Sequence, residues 1–171
     1  MSTTREAILE ALVAMLAGSN GFFPAAVIDE PEPSHWDEVA AQPPGTLRLL
    51  HAVAVQDGPP PDVLSVLSGP EGENLYELEL EAAVAYAVRA EIGAGDTNAT
   101  GRSARRARRD EGVENLAALI AADRTLGLGP EVYAELQPAQ RDDDVAFPNA
   151  PATATAVGPI RVLYTAAHAA G

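Results

Sequence analysis

The most regular hydrophobic pattern in the chain is a strict two-residue alternation over residues 76–90. Apolar side chains occupy every second position there: Tyr76, Leu78, Leu80, Ala82, Val84, Tyr86 and Val88. The positions between them begin with Glu77, Glu79 and Glu81, so the run predicts a strand with one buried and one wet face. Beyond Ala82 both sets of positions are apolar, which predicts that a further layer covers this half of the strand.

A four-residue spacing replaces this alternation at the N-terminus. Ile8, Leu12 and Leu16 fall on one helical face, which predicts a helix that is capped by Ser2 or Thr3 and ends near Ala17. A second helix is predicted over residues 103–123, with Gly127 as its cap. Strands are predicted over residues 46–55, 63–67, 130–136 and 156–166, separated by glycine- and proline-containing turns.

These elements predict a single α/β (α+β) domain that spans residues 1–171. Its sheet is expected to have about four mainly antiparallel strands, with the two helices packed on it. A chain of 171 residues is long enough to bury one core, and no linker divides it into two. Two long acidic, proline-containing loops are predicted, over residues 29–45 and 137–156.

A cluster of arginines precedes the apolar part of the second predicted helix. Arg102, Arg105, Arg106 and Arg109 stand at helical spacing on one face, and Arg108 lies beside them. The apolar stripe that follows continues in the same phase, through Val113, Leu116, Ala117 and Ile120. One possibility is that Gly112 breaks or bends the helix, so that the arginines turn toward water. Otherwise the arginines project from the same side of the helix that is buried in its second half. The cluster is therefore a solvated or locally paired face, a contact surface for another molecule, or a DNA contact.

The charge balance narrows the choice of partners. The formal net charge is −14, with 25 acidic residues and 11 basic ones, all arginine, and there is no cysteine. An acidic surface disfavours nucleic acid as a general partner, and the lack of cysteine excludes disulfides and thiolate metal sites. No apolar run approaches the roughly 18 residues that cross a membrane, and the N-terminus lacks a signal-peptide layout. The sequence therefore predicts a protein made in the cytosol with no membrane partner.

The residue types that carry chemistry are not arranged for it. The histidines lie in three different elements, at His35, His51 and His168, without the spacing of metal ligands. Three adjacent aspartates do not follow the spaced pattern of a calcium loop and are predicted to be a solvated run: Asp142, Asp143 and Asp144. No serine lies in a nucleophile elbow, and no glycine run follows a strand and opens a helix as a dinucleotide site requires.

The glutamates of the long strand are the remaining candidates for catalysis. Glu77, Glu79 and Glu81 project from one strand face at intervals of about 7 Å. Paired catalytic carboxylates need different environments that separate their pKa values. A solvated or interface ladder is the better interpretation. No catalytic, cofactor-binding or metal-binding residue is predicted, no cofactor is expected, and an enzyme is the weakest interpretation.

The order of elements in the second half resembles that of a known family. A long strand is followed by a helix that ends in Ala-Asp-Arg-Thr-Leu-Gly at residues 122–127, then by an acidic segment and a last strand, GPIRVLYTA, at residues 158–166. This order resembles the tail terminator proteins (minor tail protein U-like) of long-tailed phages and phage-like particles. Leu128 departs from the family pattern, which tends to have a small residue after Leu-Gly. The insertion at residues 29–45 is also longer than in the family.

The resemblance implies a structural virion protein. Copies of such a subunit, by implication six, form a ring at the head-proximal end of the tail tube, stop tube polymerisation and provide the surface on which the head docks. The implied partners are further copies, the tail tube protein and a head-side connector protein, with DNA only as passing cargo. The implied location is the virion tail, after assembly in the host cytoplasm, in a phage or in a domesticated gene transfer particle.

The candidate subunit or partner interface combines the two charged clusters and the acidic loop. Its residues are Arg102, Arg105, Arg106, Arg109, Glu77, Glu79, Glu81, Asp142, Asp143 and Asp144. Two alternatives stay open at this stage. One is a head–tail connector or tail-completion protein, and the other is a small dimeric α/β domain that binds a ligand or regulates.

Overall fold

The computed structural model describes residues 3–28, 35–43, 45, 47–91, 97–142 and 152–169, with only the backbone described for residues 98 and 99. They form an α+β domain in which two helices pack on a mixed sheet, so the predicted fold class is confirmed. The elements in chain order are α1 Arg5–Ala17, β1 Val27–Ile28, β2 Asp37–Glu38, β3 Arg48–Asp57, β4 Asp62–Ser68, β5 Asn74–Glu91, α2 Asn98–Ala122, β6 Tyr133–Leu136, β7 Gln140–Asp142 and β8 Thr153–Ala166. No helix in the described part of the chain is long and apolar enough to cross a membrane.

The sheet is organised around β5, its longest strand. The main strand order is β1-β3-β5-β8-β6, and the shorter strands β2, β4 and β7 pair with β3, β5 and β8. β3 pairs with the second half of β5, and β4 pairs with its first half. The two shorter strands therefore lie end to end along the same edge of β5. On the other side β8 pairs antiparallel with β5 from Tyr76↔Ala166 to Arg89↔Thr153. The β1–β3 pair is the parallel one among the described pairs.

The prediction of about four strands was too low, because the described sheet has eight. Each range predicted as a strand overlaps an observed strand, and these strands are β3, β4, β5, β6 and β8. The strands that were missed, β1, β2 and β7, are two or three residues long and lie in or beside segments predicted as loops. Segments this short carry no alternation of their own and are defined only by the strand that they pair with.

Helix α1 buries the face that its four-residue spacing predicts. Ile8, Leu12 and Leu16 are fully buried. The cap is Thr4 rather than Ser2 or Thr3, because Thr4 has the extended backbone that an N-cap needs and its Oγ1 accepts a hydrogen bond from the Ala7 backbone N–H (3.2 Å).

Helix α2 is continuous through Gly112, so the glycine does not interrupt it. A Cβ at Gly112 would lie 2.3 Å from the Tyr86 ring, and the glycine therefore lets the helix approach β5 closely. The helix begins earlier than predicted because Thr97 caps it, accepting from the Thr100 backbone N–H (3.1 Å). It ends at Ala122 with Asp123 as its C-cap rather than Gly127, which follows in a separate turn.

The Gly112–Tyr86 contact makes a testable prediction about stability. Replacing glycine by alanine inside a helix normally stabilises by about 1 kcal/mol. Here the added methyl group must displace a buried aromatic ring, so we expect Gly112→Ala to destabilise the fold by about 1–2 kcal/mol. Urea denaturation measures the change. In a Tyr86→Leu background the same substitution should become neutral or stabilising, and destabilisation in both backgrounds would contradict this assignment.

The two faces of the sheet are covered to different extents. The face toward the helices holds the core, including Leu80, Val84, Ile160 and Val162. On the opposite face β5 begins with glutamates and continues with alanines, of which Ala85 and Ala87 are buried as predicted, at 8% and 3% exposure. On this side of β5 the Arg89 guanidinium lies 4.5 Å from the centre of the Trp36 ring.

Candidate functional site

The arginine cluster lies on the same side of α2 as the apolar stripe, as its phase predicts. Arg105 and Arg109 are each only 5% exposed. They lie on the same side of the helix as the residues that are buried further along it, Gly112, Leu116 and Ile120. Arg106 is partly buried and Arg102 is exposed. Of the four arginines assigned to an interface, Arg102 is therefore the most accessible.

Strand β7 covers part of this arginine face. The Arg109 guanidinium donates to the Asp142 carbonyl oxygen (Nη1–O 3.1 Å), so these two candidate interface residues contact each other within the chain. The Asp110 carboxylate accepts from Nε of both Arg109 and Arg141, at 3.0 Å each. Burial alone would raise the pKa of Asp110, but these two arginines hold it below its usual value. Asp143 and Asp144 lie outside the described residues.

Arg108, which lies beside the predicted face, connects α2 to two other parts of the fold. Its Nε donates to the Tyr86 hydroxyl oxygen (3.2 Å), and its Nη2 donates to the Phe22 carbonyl oxygen (3.1 Å). The guanidinium also lies 3.8 Å from the centre of the Phe22 ring and pairs with Glu111. The spacing of arginines in the sequence did not predict these contacts, because the partners lie on β5 and in the loop after α1.

The Tyr86 hydroxyl links Arg108 to a buried histidine. Because an arginine can only donate, the Tyr86 oxygen accepts from Arg108 Nε, and the same hydroxyl forms a hydrogen bond with His51 Nδ1 (3.0 Å). His51 is 3% exposed, and burial followed by the nearby Arg108 charge lowers its pKa to about 4. Burial also raises the pKa of Tyr86 to about 12. At neutral pH both groups are uncharged, which suits a structural role in the core.

The glutamate ladder lies on the sheet face away from the helices, so it does not meet the arginines of α2. Glu77 accepts from the Ser65 hydroxyl (2.7 Å), Glu79 pairs with Arg161, and Glu81 is exposed. The three carboxylates thus have different surroundings in the fold. Near Glu81, a groove of about 390 Å³ crosses this face, with Ala83 and Pro159 in its lining.

Strand β4 carries four of the five large hydrophobic residues that are exposed in the described part of the chain. Its side chains Val63, Leu64, Val66 and Leu67 are 46%, 49%, 58% and 44% exposed, and the other large exposed hydrophobic residue described is Tyr133 on β6. Apolar side chains project from both faces of β4. Val63 and Val66 pair with Leu78 and Tyr76, which lie on one face of β5, whereas Leu67 pairs with Leu75, which lies on the other face. The helices pack on β3, β5, β6 and β8, and β4 lies beyond them.

The turn that follows β4 adds negative charge to this surface. Gly69 N–H donates to the Glu73 carbonyl oxygen (2.7 Å), and Gly72 has the positive φ that favours glycine. Asp62, Glu71 and Glu73 are exposed, and residues 62–73 contain no basic residue. We call residues 62–73 the β4 arm. It is an edge strand with apolar side chains and a carboxylate-bearing tip, which is the kind of surface that marks an interaction site.

The described residues offer no grouping of metal ligands. Among residues 3–28, 35–43, 45, 47–91, 97–142 and 152–169, no three His, Asp or Glu side chains are placed so that they could hold a metal ion. His51 is enclosed in the core, whereas His35 and His168 are exposed.

Comparison with known proteins gives distant structural likeness but no family. No family model matches the chain, and no curated protein matches it. A solved structure described as an extracellular contractile injection system, PVC sheath/tube terminator in extended state, is 13% identical, with a TM-score of 0.35. The match covers 93% of this chain and 57% of that chain, so this chain spans little more than half of that protein's length. A likeness at this level carries no argument about function.

Proposed function

We propose that this chain is a tail terminator. Its copies form a ring, by family resemblance a hexamer, at the head-proximal end of a tail tube in a phage or phage-like particle. The ring stops tube polymerisation and provides the surface on which the head-side connector docks. The virion tail is then its final location, and the host cytoplasm is where it assembles.

The observation that carries this proposal is the uncovered β4 arm. An edge strand with four exposed hydrophobic side chains is a liability for a protein that acts alone, and a natural surface for a subunit that acts in an assembly. The formal charge of −14 keeps free copies apart until complementary contacts form. The segment at residues 122–127 supports the resemblance, because it turns the chain from α2 back to β6, with the Arg124 carbonyl accepting from the Ala134 N–H (2.7 Å).

Negative-stain imaging of the purified protein, alone and mixed with tail tubes from its own particle, tests the proposal. We expect rings in solution or a distinct cap at one end of each tube. Tubes polymerised in the presence of the protein should be shorter than tubes grown without it. A compact monomer or dimer that ignores the tubes would overturn the proposal.

The alternatives considered from sequence predict other outcomes. A head–tail connector would decorate isolated heads at one vertex and leave headless tubes bare. A dimeric ligand-binding domain would use the groove beside Glu81, which has polar groups such as Gln56 and Arg161 in its lining. Saturable binding of a small molecule in this groove, with no association with tubes, would favour that alternative.

A further inference from the structure

We propose that the β4 arm of one copy binds the N-terminal half of α2 in a second copy. This inference rests on the proposed function, because it names the surfaces through which neighbouring subunits of the ring meet. It commits to another copy of the same chain as the occupant of the exposed arm.

The charge of the arm restricts what can cover it. Asp62, Glu71 and Glu73 make the arm negative, and no arginine within residues 62–73 offsets them. If two arms packed against each other about a two-fold axis, six carboxylates would face one another, which costs free energy. The complementary partner is a positively charged surface with some apolar area.

The chain itself provides such a surface at the start of α2. Residues 97–109 contain five arginines and no acidic residue, so all 25 acidic residues lie outside this segment. Arg102 is exposed beside exposed Ser103 and Ala107, which offers a cation, a small polar group and a methyl group to a partner. Arg105 and Arg109 are buried and Arg109 is paired with Asp110, so exposed Arg102 is the cation that this surface offers to a partner.

The arm cannot reach this surface within its own chain. The arm pairs with the beginning of β5, from Asn74 to Glu79, whereas α2 contacts β5 at Tyr86 through Gly112. About ten strand residues, or roughly 30–40 Å, separate these two points. Further along the helix, Leu116 contacts Gly158, which pairs with Val84 and is therefore closer to the arm than Tyr86 is. The helix thus approaches the arm toward its C-terminus, and its N-terminal half points away from the arm. The arm and the arginine surface can therefore meet only between copies.

A contact between two different patches at opposite ends of a subunit has a definite consequence for symmetry. Repeated from copy to copy, it is heterologous and closes into a ring when the rotation per step allows. Made twice between the same two copies, it gives a reciprocal dimer instead. Exposed ion pairs contribute only about 0–1 kcal/mol each, so the apolar side chains of the arm provide most of the affinity. The charges set orientation and make association weaker in high salt.

Disulfide trapping tests the contact directly, because the chain has no cysteine of its own. The variant Ser68→Cys/Ser103→Cys places one thiol on the arm and one on α2, at exposed serines, and leaves every arginine and hydrophobic residue in place. The matched control is Ser68→Cys/Ala121→Cys, with the second thiol exposed at the far end of the same helix. We expect oxidation, alone and with tail tubes, to give covalent ladders up to a closed ring for the first variant and monomers for the control.

The outcomes separate this inference from the proposed function. Covalent dimers that grow no further would support the contact but replace the ring by a reciprocal pair. Rings seen by imaging without any Ser68→Cys/Ser103→Cys cross-link would overturn the contact and leave the terminator role standing. A monomer that neither cross-links nor caps tubes would overturn both. Cross-links between two copies of the single variant Ser68→Cys would show arm-to-arm packing and also overturn the inference.

A second pair of variants tests the apolar part of the contact. Val66→Asp and Tyr133→Asp each replace an exposed hydrophobic residue on an edge strand by the same charged residue. We expect Val66→Asp to abolish assembly at concentrations where the unmodified chain is fully assembled, whereas Tyr133→Asp leaves it intact. Light scattering measures the association, and circular dichroism verifies that both variants fold. Equal losses, or no loss for Val66→Asp, would contradict the proposed role of the arm.

Discussion

Replacing Arg108 by alanine is expected to lower the free energy of unfolding by about 3 kcal/mol. The guanidinium is bound to the Tyr86 hydroxyl and the Phe22 carbonyl, and it stacks on the Phe22 ring, with its side chain only 13% exposed. Its removal deletes two charge-assisted hydrogen bonds and leaves a cavity beside the aromatic rings. Arg108→Lys should recover little of the loss, because one ammonium cannot bind both acceptors and also stack as the planar group does.

Arg102→Ala is the matched control for this substitution. It removes the same charge from the same helix at an exposed position, so we expect its stability to stay within about 0.5 kcal/mol of the unmodified chain. Urea denaturation of the monomer gives both values. If the two variants lost equal stability, the effect would come from the charge of the helix as a whole and not from the contacts of Arg108.

Acidification is expected to remove about 3 kcal/mol of stability through His51 alone. The pKa of His51 is about 4 in the folded chain, below its ordinary value of 6.5, because burial and then Arg108 disfavour the charged ring. The unfolded chain therefore takes up the proton first as the pH falls. The stabilising effect is complete above pH 6.5, declines between 6.5 and about 4, and is fully lost below that range.

The variant His51→Asn isolates this contribution, because its amide group can donate to or accept from the Tyr86 hydroxyl and does not titrate. Carboxylates contribute to acid unfolding in both proteins, so the informative quantity is the difference between the two stability curves measured by urea denaturation. The stability of the unmodified chain relative to His51→Asn should fall by about 3 kcal/mol as the pH is lowered from 6.5 to about 4. Parallel curves for the two proteins would mean that His51 is not held neutral in the fold.

The long elements of the fold followed from patterns that extend over many residues. The alternation over residues 76–90 predicted β5 because every second position must carry an apolar side chain. The observed boundaries, Asn74–Glu91, differ from the predicted ones by only one or two residues. The four-residue spacing of α1 worked for the same reason. β1 and β2 carry no such signal, since their hydrogen bonds are made with β3, and neighbours in space are not visible in a linear pattern.

The charged clusters were harder to place from sequence than the apolar ones. The phase of Arg105 and Arg109 was predicted correctly, but the chain folds β7 over that face, and a charged side chain can be buried wherever partners reach it. Arg108 was recognised as part of the cluster, but its contacts were not predicted because Phe22 and Tyr86 are distant in the chain. The exposure of the β4 side chains was not predicted from the sequence, because the extent of the helix layer is a property of the whole fold.

The length of β5 has a mechanical consequence. Fourteen consecutive residues of β5, from Tyr76 to Arg89, pair with β8, and the arm pairs with the same strand near its beginning. Hydrogen bonds in antiparallel ladders run perpendicular to the strands, so tension along β5 shears all of them at once instead of opening them one after another. A pull on the arm along this axis is therefore shared by the whole ladder, whereas a pull across the sheet peels β4 away from its tip. The same subunit would resist force strongly in one direction and yield in the other.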